Sequence, residues 1–200
     1  MRYAACFLIL GLAACSAPDK EQAADDTVPA TEQRTVAAPD GAAQEAVASG
    51  VALSLDGDGL RIVLTETGAT RPIAFGTDRA SVERAVSSAL GSEPVRENNG
   101  ECPAGPMAFS RYGAALTLNF QGDSFVGWSI DDGSDLTTMD GIGIGSRRAD
   151  IADSRDPVET IDSTLGDEIM IGAGESALSA LLNDQGRVAE LWAGTNCIFR

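Results

Sequence analysis

After residue 50 the chain alternates between short apolar runs and polar segments. This pattern predicts strands more often than helices. The runs Val51–Leu55 and Leu60–Leu64 flank the turn sequence Asp56–Gly59. β-prone runs on both sides of an Asp-Gly turn predict a hairpin. Arg71–Phe75 predicts another short strand, with Pro72 at its start or on an edge.

One stretch, residues 77–91, has the spacing of an amphipathic helix. Thr77 suits the N-cap, and Gly91 suits the residue just past the C-terminus. The apolar positions that fall on one helical face are Val82, Val86, Ala89 and Leu90. We expect this helix to pack that face against a sheet. The strands predicted after it cover residues 107–109, 114–120 and 125–130, and the last two are joined by a turn at 121–123.

The second half of the domain echoes the first. Ile144–Ile151 matches Phe75–Val82 in pattern, although Pro157 must end the second helix early. Trp192 lies six residues past Gly186, as Trp128 lies six past Gly122. These matches predict an internal duplication. We expect an α+β fold with an N-terminal β-hairpin followed by two related helix-plus-antiparallel-sheet repeats, at about 71–135 and 141–200.

The N-terminal residues indicate where the protein is expected to be located. Arg2 precedes the apolar run 4–14, which is too short to span a bilayer. Leu12-Ala-Ala-Cys15 resembles the lipobox of bacterial lipoproteins. That resemblance implies cleavage after residue 14 and lipidation of Cys15 with acyl groups such as palmitate. Ser16 then implies an outer-membrane lipoprotein that faces the periplasm, rather than one retained at the inner membrane.

Residues 15–49 and 50–200 differ in composition. Residues 16–49 are rich in Ala, Asp, Glu, Thr and Pro and have almost no large apolar side chains, which predicts a disordered tether. Residues 50–200 have enough apolar residues for one folded domain. The chain therefore divides into a signal peptide (1–14), a lipidated tether (15–49) and a domain.

Charge and missing residue types exclude several kinds of function. The chain has 30 acidic and 14 basic residues and a net charge of −16, which disfavours nucleic acid as a partner. It has no histidine, and its one lysine is Lys20, in the tether. A Ser-His-Asp triad, a Schiff-base lysine in the domain and an imidazole zinc site are thus excluded. We expect no cofactor and no metal, and the Asp-rich stretches at 56–58 and 131–135 are interpreted as turns rather than calcium loops.

The expected location of the protein assigns a role to each of its four cysteines. Cys6 leaves with the signal peptide and Cys15 carries lipid, so Cys102 and Cys197 remain. In the oxidising periplasm these two are expected to form a disulfide, and two buried free thiols are the alternative. The bond would join the two predicted repeats.

Two further resemblances concern the domain. A helix that opens with Gly76-Thr or Gly145-Ser, with Leu-Gly ending at Gly91 and Gly166, is similar to the small lipoproteins of the outer-membrane β-barrel assembly machinery and to β-lactamase inhibitor protein. These resemblances imply protein binding without catalysis. The whole chain also resembles uncharacterised lipoproteins, some of which carry the name aspartate-semialdehyde dehydrogenase. The residues do not support that activity, because histidine is absent and the glycine run 141–145 lacks a βαβ context.

Two groups of residues are candidate binding sites. A glycine-rich stretch that leads into a helix start with two arginines could hold an anion, and ordinary surface ion pairs are the simpler interpretation. Its residues are Gly143, Gly145, Ser146, Arg147 and Arg148. Trp128 and Trp192 are interpreted as core packing, with a paired binding surface as the alternative. We therefore expect a lipid-anchored, non-enzymatic module that binds a protein or envelope component, and a carboxylate-based enzyme or small-ligand binder as the alternative.

Overall fold

The structure, a computed structural model, describes residues 50–113 and 115–199. The predicted signal peptide, Cys15 and the tether lie outside these residues. The β-strands are β1 Val51–Asp56, β2 Gly59–Leu64, β3 Thr70–Ala74, β4 Val95–Asn99, β5 Met107–Tyr112, β6 Leu116–Gln121, β7 Ser124–Ile130, β8 Val158–Ile161, β9 Asp167–Ile171, β10 Leu178–Leu182 and β11 Val188–Gly194. The α-helices are α1 Arg79–Leu90 and α2 Arg148–Ser154, and a single 3-10 turn spans Gly174–Ser176. Neither α-helix in the described part of the chain is long and apolar enough to cross a membrane.

The strands form two antiparallel sheets. A three-stranded sheet has the order β1-β2-β3, and an eight-stranded sheet has the order β4-β5-β6-β7-β11-β10-β9-β8. The predicted hairpin at Val51–Leu64 is confirmed, with Asp56 opposite Gly59 across the turn. β7 pairs with β11, so the strands that follow α1 and those that follow α2 continue as one sheet.

The core lies on one face of the eight-stranded sheet. Both helices and the three-stranded sheet contribute side chains to it, because each element has one apolar face that must be buried. Leu55 and Leu60 come from the small sheet, Val86 from α1 and Ile151 from α2. The eight-stranded sheet contributes residues such as Leu118, Trp128, Ile169 and Leu191.

Helix α1 is capped at both ends. The side chain of Asp78, not of Thr77, accepts the backbone N–H of Ser81 at 3.0 Å, and so the predicted N-cap is wrong by one residue. The Thr77 hydroxyl instead donates to the Ala74 carbonyl at 2.7 Å. Gly91 has a φ of 65° and its N–H bonds the Ser87 carbonyl at 2.9 Å, which confirms the predicted glycine stop.

The predicted α+β fold of two helix-plus-sheet repeats is wrong. The described residues are mostly β, with 46% strand and 15% helix, and strands β4–β11 belong to one continuous sheet. Two causes explain the error. The exposed edge strand β4, Val-Arg-Glu-Asn-Asn, has no apolar alternation that would reveal it as a strand. The helix in the second half ends at Ser154, three residues before Pro157, and the chain then returns to strand.

Candidate functional site

The two tryptophans lie on opposite faces of the eight-stranded sheet. Trp128 pairs with Ala193, and Trp192 pairs with Ser129, so the register points the two indoles in opposite directions. Trp128 is 0% exposed in the core, and its indole N–H donates to the Asp56 carbonyl at 2.9 Å. Trp192 is 4% exposed on the other face. The structure therefore does not bring Trp128 and Trp192 together as one surface.

The C-terminal segment, residues 195–199, crosses the face that carries Trp192. A Cβ on Gly127 would stand 2.2 Å from the Thr195 carbonyl oxygen, so only glycine allows this crossing. The side-chain amide of Asn119 donates to the Thr195 carbonyl at 3.2 Å and to the side-chain oxygen of Asn196 at 2.5 Å. We call this face of the sheet the outer face.

A disulfide joins Cys102 to Cys197 and holds the C-terminal segment on the outer face. The Sγ–Sγ distance is 2.04 Å and the two Cα atoms are 5.0 Å apart, which confirms the predicted pairing. Cys102, Met107 and Phe109 form a small apolar cluster there, and Cys197 packs against it. The bond therefore closes a loop across the sheet and anchors the end of the chain beside β4 and β5.

A cleft of about 430 Å³ lies between the outer face and the C-terminal segment. We call it the outer cleft. Its floor is the buried Trp192, and polar or charged side chains surround it. These are Glu97, Asn98, Asn99, Arg111, Thr117, Asn119, Ser129, Asp131, Glu190 and Asn196, with Phe109, Cys197 and Ile198 completing the lining.

The electrostatic character of the outer cleft is acidic. Glu97, Asp131 and Glu190 bring three carboxylates to it, and Arg111 is the one basic side chain that lines it among the described residues. Arg111 is already engaged, because its Nε donates to Glu97 at 2.9 Å and its guanidinium lies 5.9 Å from the centroid of the Phe109 ring. Two carboxylates therefore remain without an arginine partner in the cleft.

The glycine-rich stretch predicted to hold an anion has its donors occupied within the chain. The N–H of Gly143 donates to the Ser146 hydroxyl at 3.0 Å, and that of Gly145 donates to the Val188 carbonyl at 2.8 Å. The side chain of Arg147 makes two bonds to Asp150, at 2.7 and 2.8 Å. Arg148 donates to the Thr160 hydroxyl at 2.7 Å and lies 3.8 Å from Asp167. The five residues lie close together, but the donor groups described above are already bonded within the chain.

A buried charged cluster under α1 was not found from the sequence. Glu83 is 7% exposed and accepts hydrogen bonds from Arg79 at 2.8 Å, from Arg96 at 2.7 Å and from the Ser110 hydroxyl at 2.5 Å. Burial disfavours its ionisation, but the bonds from Arg96, Ser110 and Arg79 outweigh burial and lower the pKa of Glu83 to about 2. The guanidinium of Arg79 also donates to the Phe109 carbonyl at 3.1 Å and lies 5.0 Å from the Phe120 ring centroid.

This cluster connects α1 to the sheet and contains no free reactive group. Glu83 lies next to Val82 on the buried side of the helix. An acidic residue at that position was the signal in the sequence that could have revealed the cluster. The Tyr112 hydroxyl donates to the Glu83 carbonyl at 3.1 Å, and burial raises the pKa of that phenol. We interpret the cluster as a structural support for β5, the strand that carries Arg111 to the outer cleft.

The Asp-rich turn at 56–58, one of the two considered for calcium, has partners within the chain. Asp56 pairs with Arg61, and its other side-chain oxygen accepts the N–H of Asp58 at 3.1 Å. Within residues 50–113 and 115–199 no group of three or more acidic or cysteine side chains is arranged to hold a metal ion.

No family model matches this chain, and no curated protein or solved structure is detectably similar to it. The outer cleft and the N-terminal residues are therefore the features that bear on function.

Proposed function

We propose that this chain is a lipid-anchored periplasmic protein of the outer membrane whose domain binds a protein or envelope component at the outer cleft, without catalysing a reaction. The Leu12–Cys15 stretch supports the anchor, because small residues before a cysteine follow a short apolar run. The acidic tether then gives the domain reach from the membrane. An acyl chain on Cys15 supplies the membrane contact, and the partner is recognised by the domain.

The observation that carries the proposal is the construction of the outer face. An antiparallel sheet that only needed to face water would present polar side chains there. Here the outer face carries Trp192 and Phe109, which are 4% and 8% exposed, and a disulfide fixes a chain segment over them. A cleft with an aromatic floor, polar walls and a covalently fixed rim is typical of a preorganised binding site.

The charge of the cleft indicates the chemistry of the partner. Glu190 and Asp131 have no arginine partner there, and residues 50–200 contain 23 acidic against 11 basic side chains. A segment with lysine or arginine side chains would be attracted over distance and paired on contact. We therefore expect the bound segment to be basic.

The anchor is tested by metabolic labelling. Cells that express the chain are fed an alkyne analogue of palmitate, and labelling of the protein is compared with that of the Cys15→Ser variant. We expect labelling of the wild type, loss of labelling in the variant and loss of its recovery in the outer-membrane fraction. An unlabelled wild-type protein would contradict the anchor and leave the outer-cleft proposal standing.

The outer cleft is tested by crosslinking in intact cells. The photoreactive amino acid p-benzoylphenylalanine replaces Thr117, which lines the cleft, or Asp184, which is exposed in the turn between β10 and β11. We expect one defined adduct from position 117 and none from position 184. Adding Asp131→Asn and Glu190→Gln should abolish the adduct.

A matched pair of substitutions separates a local effect from a change in net charge. Asp153→Asn and Asp184→Asn remove the same two charges from exposed positions outside the cleft. We expect this pair to leave the adduct intact. If the two pairs reduce crosslinking equally, or if position 117 captures nothing, the outer cleft is not the binding site.

A carboxylate-based hydrolase is the second candidate function, and one observation favours it. The outer cleft brings three carboxylates, Glu97, Asp131 and Glu190, around one space, and glycoside hydrolysis needs two. The test incubates the protein with cell-wall glycans and measures new reducing ends. Release that is lost in Glu190→Gln would replace the binding proposal with a catalytic one.

A further inference from the structure

A second concavity, of about 740 Å³, lies between the three-stranded sheet and helix α1. We call it the α1 groove. Its apolar floor is formed by Val51, Ile62, Leu64 and Ala85, and its polar rim includes Arg71 on β3 and Arg84 on α1. It has no lining residue in common with the outer cleft.

The two arginines of the α1 groove differ from the other arginines of the domain. Seven arginines in the described residues form ion pairs, and an eighth, Arg187, donates to the Gly145 carbonyl at 2.8 Å. Arg71 and Arg84 are the two in residues 50–113 and 115–199 whose side chains make neither a hydrogen bond nor an ion pair. In a domain with a large excess of acids, any cation has many carboxylates to pair with. Both unpaired guanidinium groups nevertheless line the same groove.

The lining of the α1 groove is also free of negative charge. None of the described residues that line it is acidic, although the chain has 30 acidic residues. Leu64 on its floor is 45% exposed, so the groove contains uncovered apolar surface. An occupant that covers Leu64 and meets two guanidinium groups must be apolar in its body and anionic at one end.

The backbone around the α1 groove favours an alkyl chain over a peptide as that body. β1 and β3 are the two edge strands of the small sheet and both line the groove. β1 lies against α1, and Pro72 in the middle of β3 has no N–H to donate to an added strand. The backbone of α1 on the other side is bonded within the helix. An extended peptide would thus leave many of its backbone polar groups without partners, whereas an alkyl chain has none to satisfy.

We propose that the α1 groove binds a single-chain anionic amphiphile, with its alkyl chain on Ile62 and Leu64 and its carboxylate or phosphate head held by Arg71 and Arg84. The volume is within the range of sites for small organic ligands. Guanidinium groups bind carboxylates and phosphates in the same paired geometry, so the two head groups share one site. Such molecules are present where an outer-membrane lipoprotein would reside.

The experiment uses the full chain in nanodiscs of phosphatidylcholine, with a 12-carbon fatty acid that carries a terminal diazirine. After irradiation, mass spectrometry locates the labelled residues. We expect labelling to concentrate in residues 62–71 and 81–88. The corresponding fatty alcohol, which has no charge, should label these residues much less, and higher salt should weaken labelling by the acid.

Two double variants test the role of the arginines. Arg71→Gln with Arg84→Gln should reduce labelling roughly fivefold, since two exposed charge pairs are lost. Arg147→Gln with Arg148→Gln makes the same change in net charge away from the groove and should leave labelling unchanged. Because neither Arg71 nor Arg84 has a partner in the fold, the melting temperature of the first variant should equal that of the wild type.

Competition separates the two head groups, and four results would overturn the proposal. Unlabelled dodecanoate and dodecyl phosphate should both displace the probe, and the one that acts at the lower concentration identifies the head group. Equal labelling by the fatty alcohol, labelling spread over the domain, or equal loss in both double variants would each contradict the assignment. If the amphiphile does not label the α1 groove, and an acidic partner peptide binds there and shields it, the groove is a protein-docking site instead.

Discussion

The two halves of the eight-stranded sheet hold their helices in different ways. In the half formed by β4–β7, α1 has 12 residues, a side-chain N-cap and a buried carboxylate, Glu83, that bonds to β4 and β5. In the half formed by β8–β11, α2 has seven residues and one buried residue, Ile151, and the side chain of its N-cap residue, Arg147, makes no capping hydrogen bond to the helix backbone. The position of a charged side chain therefore affects how a helix is held on the sheet more than the number of charges does. Ion pairs occur in both halves, but in the half with α1 a buried carboxylate, Glu83, joins the helix to two strands.

The largest effect should come from removing the buried carboxylate. Glu83→Ala leaves Arg79 without its partner beneath the helix, and truncating one member of a buried charged cluster costs about 3–5 kcal/mol in the free energy of unfolding. Urea denaturation followed by circular dichroism measures it. The control is Glu159→Ala on the exposed strand β8, which should change stability little. Equal losses in the two variants would remove the distinction between the halves.

Helix α2 should depend on one apolar side chain instead. Ile151 is 1% exposed, so Ile151→Ala should cost about 2–4 kcal/mol through lost burial and the cavity left behind. Ile151→Val removes one methylene and should cost about 1 kcal/mol. The same urea denaturation measures both variants. If Ile151→Ala has no more effect than Ile151→Val, packing does not hold α2 on the sheet.

Acid should weaken the half that contains α1 through Glu83. The pKa of Glu83 is about 2 in the fold against an ordinary 4.5, so the unfolded chain binds the proton more readily. Its contribution is present above pH 4.5 and is lost as the pH falls toward 2, and it amounts to about 2–3 kcal/mol. The stability difference between wild type and Glu83→Gln should therefore shrink over this range. A difference that stays constant from pH 6 to pH 2.5 would show that the charge of Glu83 contributes nothing.

A smaller effect is expected at the start of α1. Asp78→Ala removes the acceptor for the Ser81 N–H, and loss of an N-cap should lower the melting temperature by roughly 2–6 °C. Asp78→Ser keeps an acceptor and should recover most of the loss. Failure of Ser to do better than Ala would mean that the cap does not stabilise this helix.

The smallest effect is expected at the start of α2. Arg147 and Asp150 are paired at the surface, with side chains 61% and 52% exposed, and such pairs contribute little. Arg147→Ala should move the melting temperature by no more than about 1 °C in thermal denaturation. A drop as large as that of Asp78→Ala would contradict the contrast between the two helix starts.

Local signals in the sequence were enough for some elements and not for the fold class. The hairpin Val51–Leu64 and helix α1 have strong turn, periodicity and stop signals within their own residues, and both are present. β4 and β8 are edge strands of four or five residues with charged or polar side chains, so no alternation marks them. The pairing of β7 with β11, which makes one sheet from both halves, depends on residues 61 to 67 positions apart and has no local signature.

The candidate binding sites show the same division between local and long-range signals. The Cys102–Cys197 bond was predictable because compartment and count left one pair. The outer cleft was not, since Glu97, Thr117 and Glu190 come from three strands whose register decides which side chains share a face. Trp128 and Trp192 were equivalent in spacing, yet pairing of Trp192 with Ser129 directs them to opposite faces. Spacing along a chain does not report the face of a sheet when strands from distant segments meet.

The covalent tie between Cys102 and Cys197 has a consequence for handling this protein in the laboratory. An affinity tag fused after the last residue would begin beside the outer cleft and could occupy it, because residues 195–199 already run along its rim. Expression in a reducing cytoplasm would leave the disulfide unformed, so the C-terminal segment would lack its covalent link to the outer face. Binding measurements should therefore use protein in which the disulfide is formed and the tag is placed away from residues 195–199.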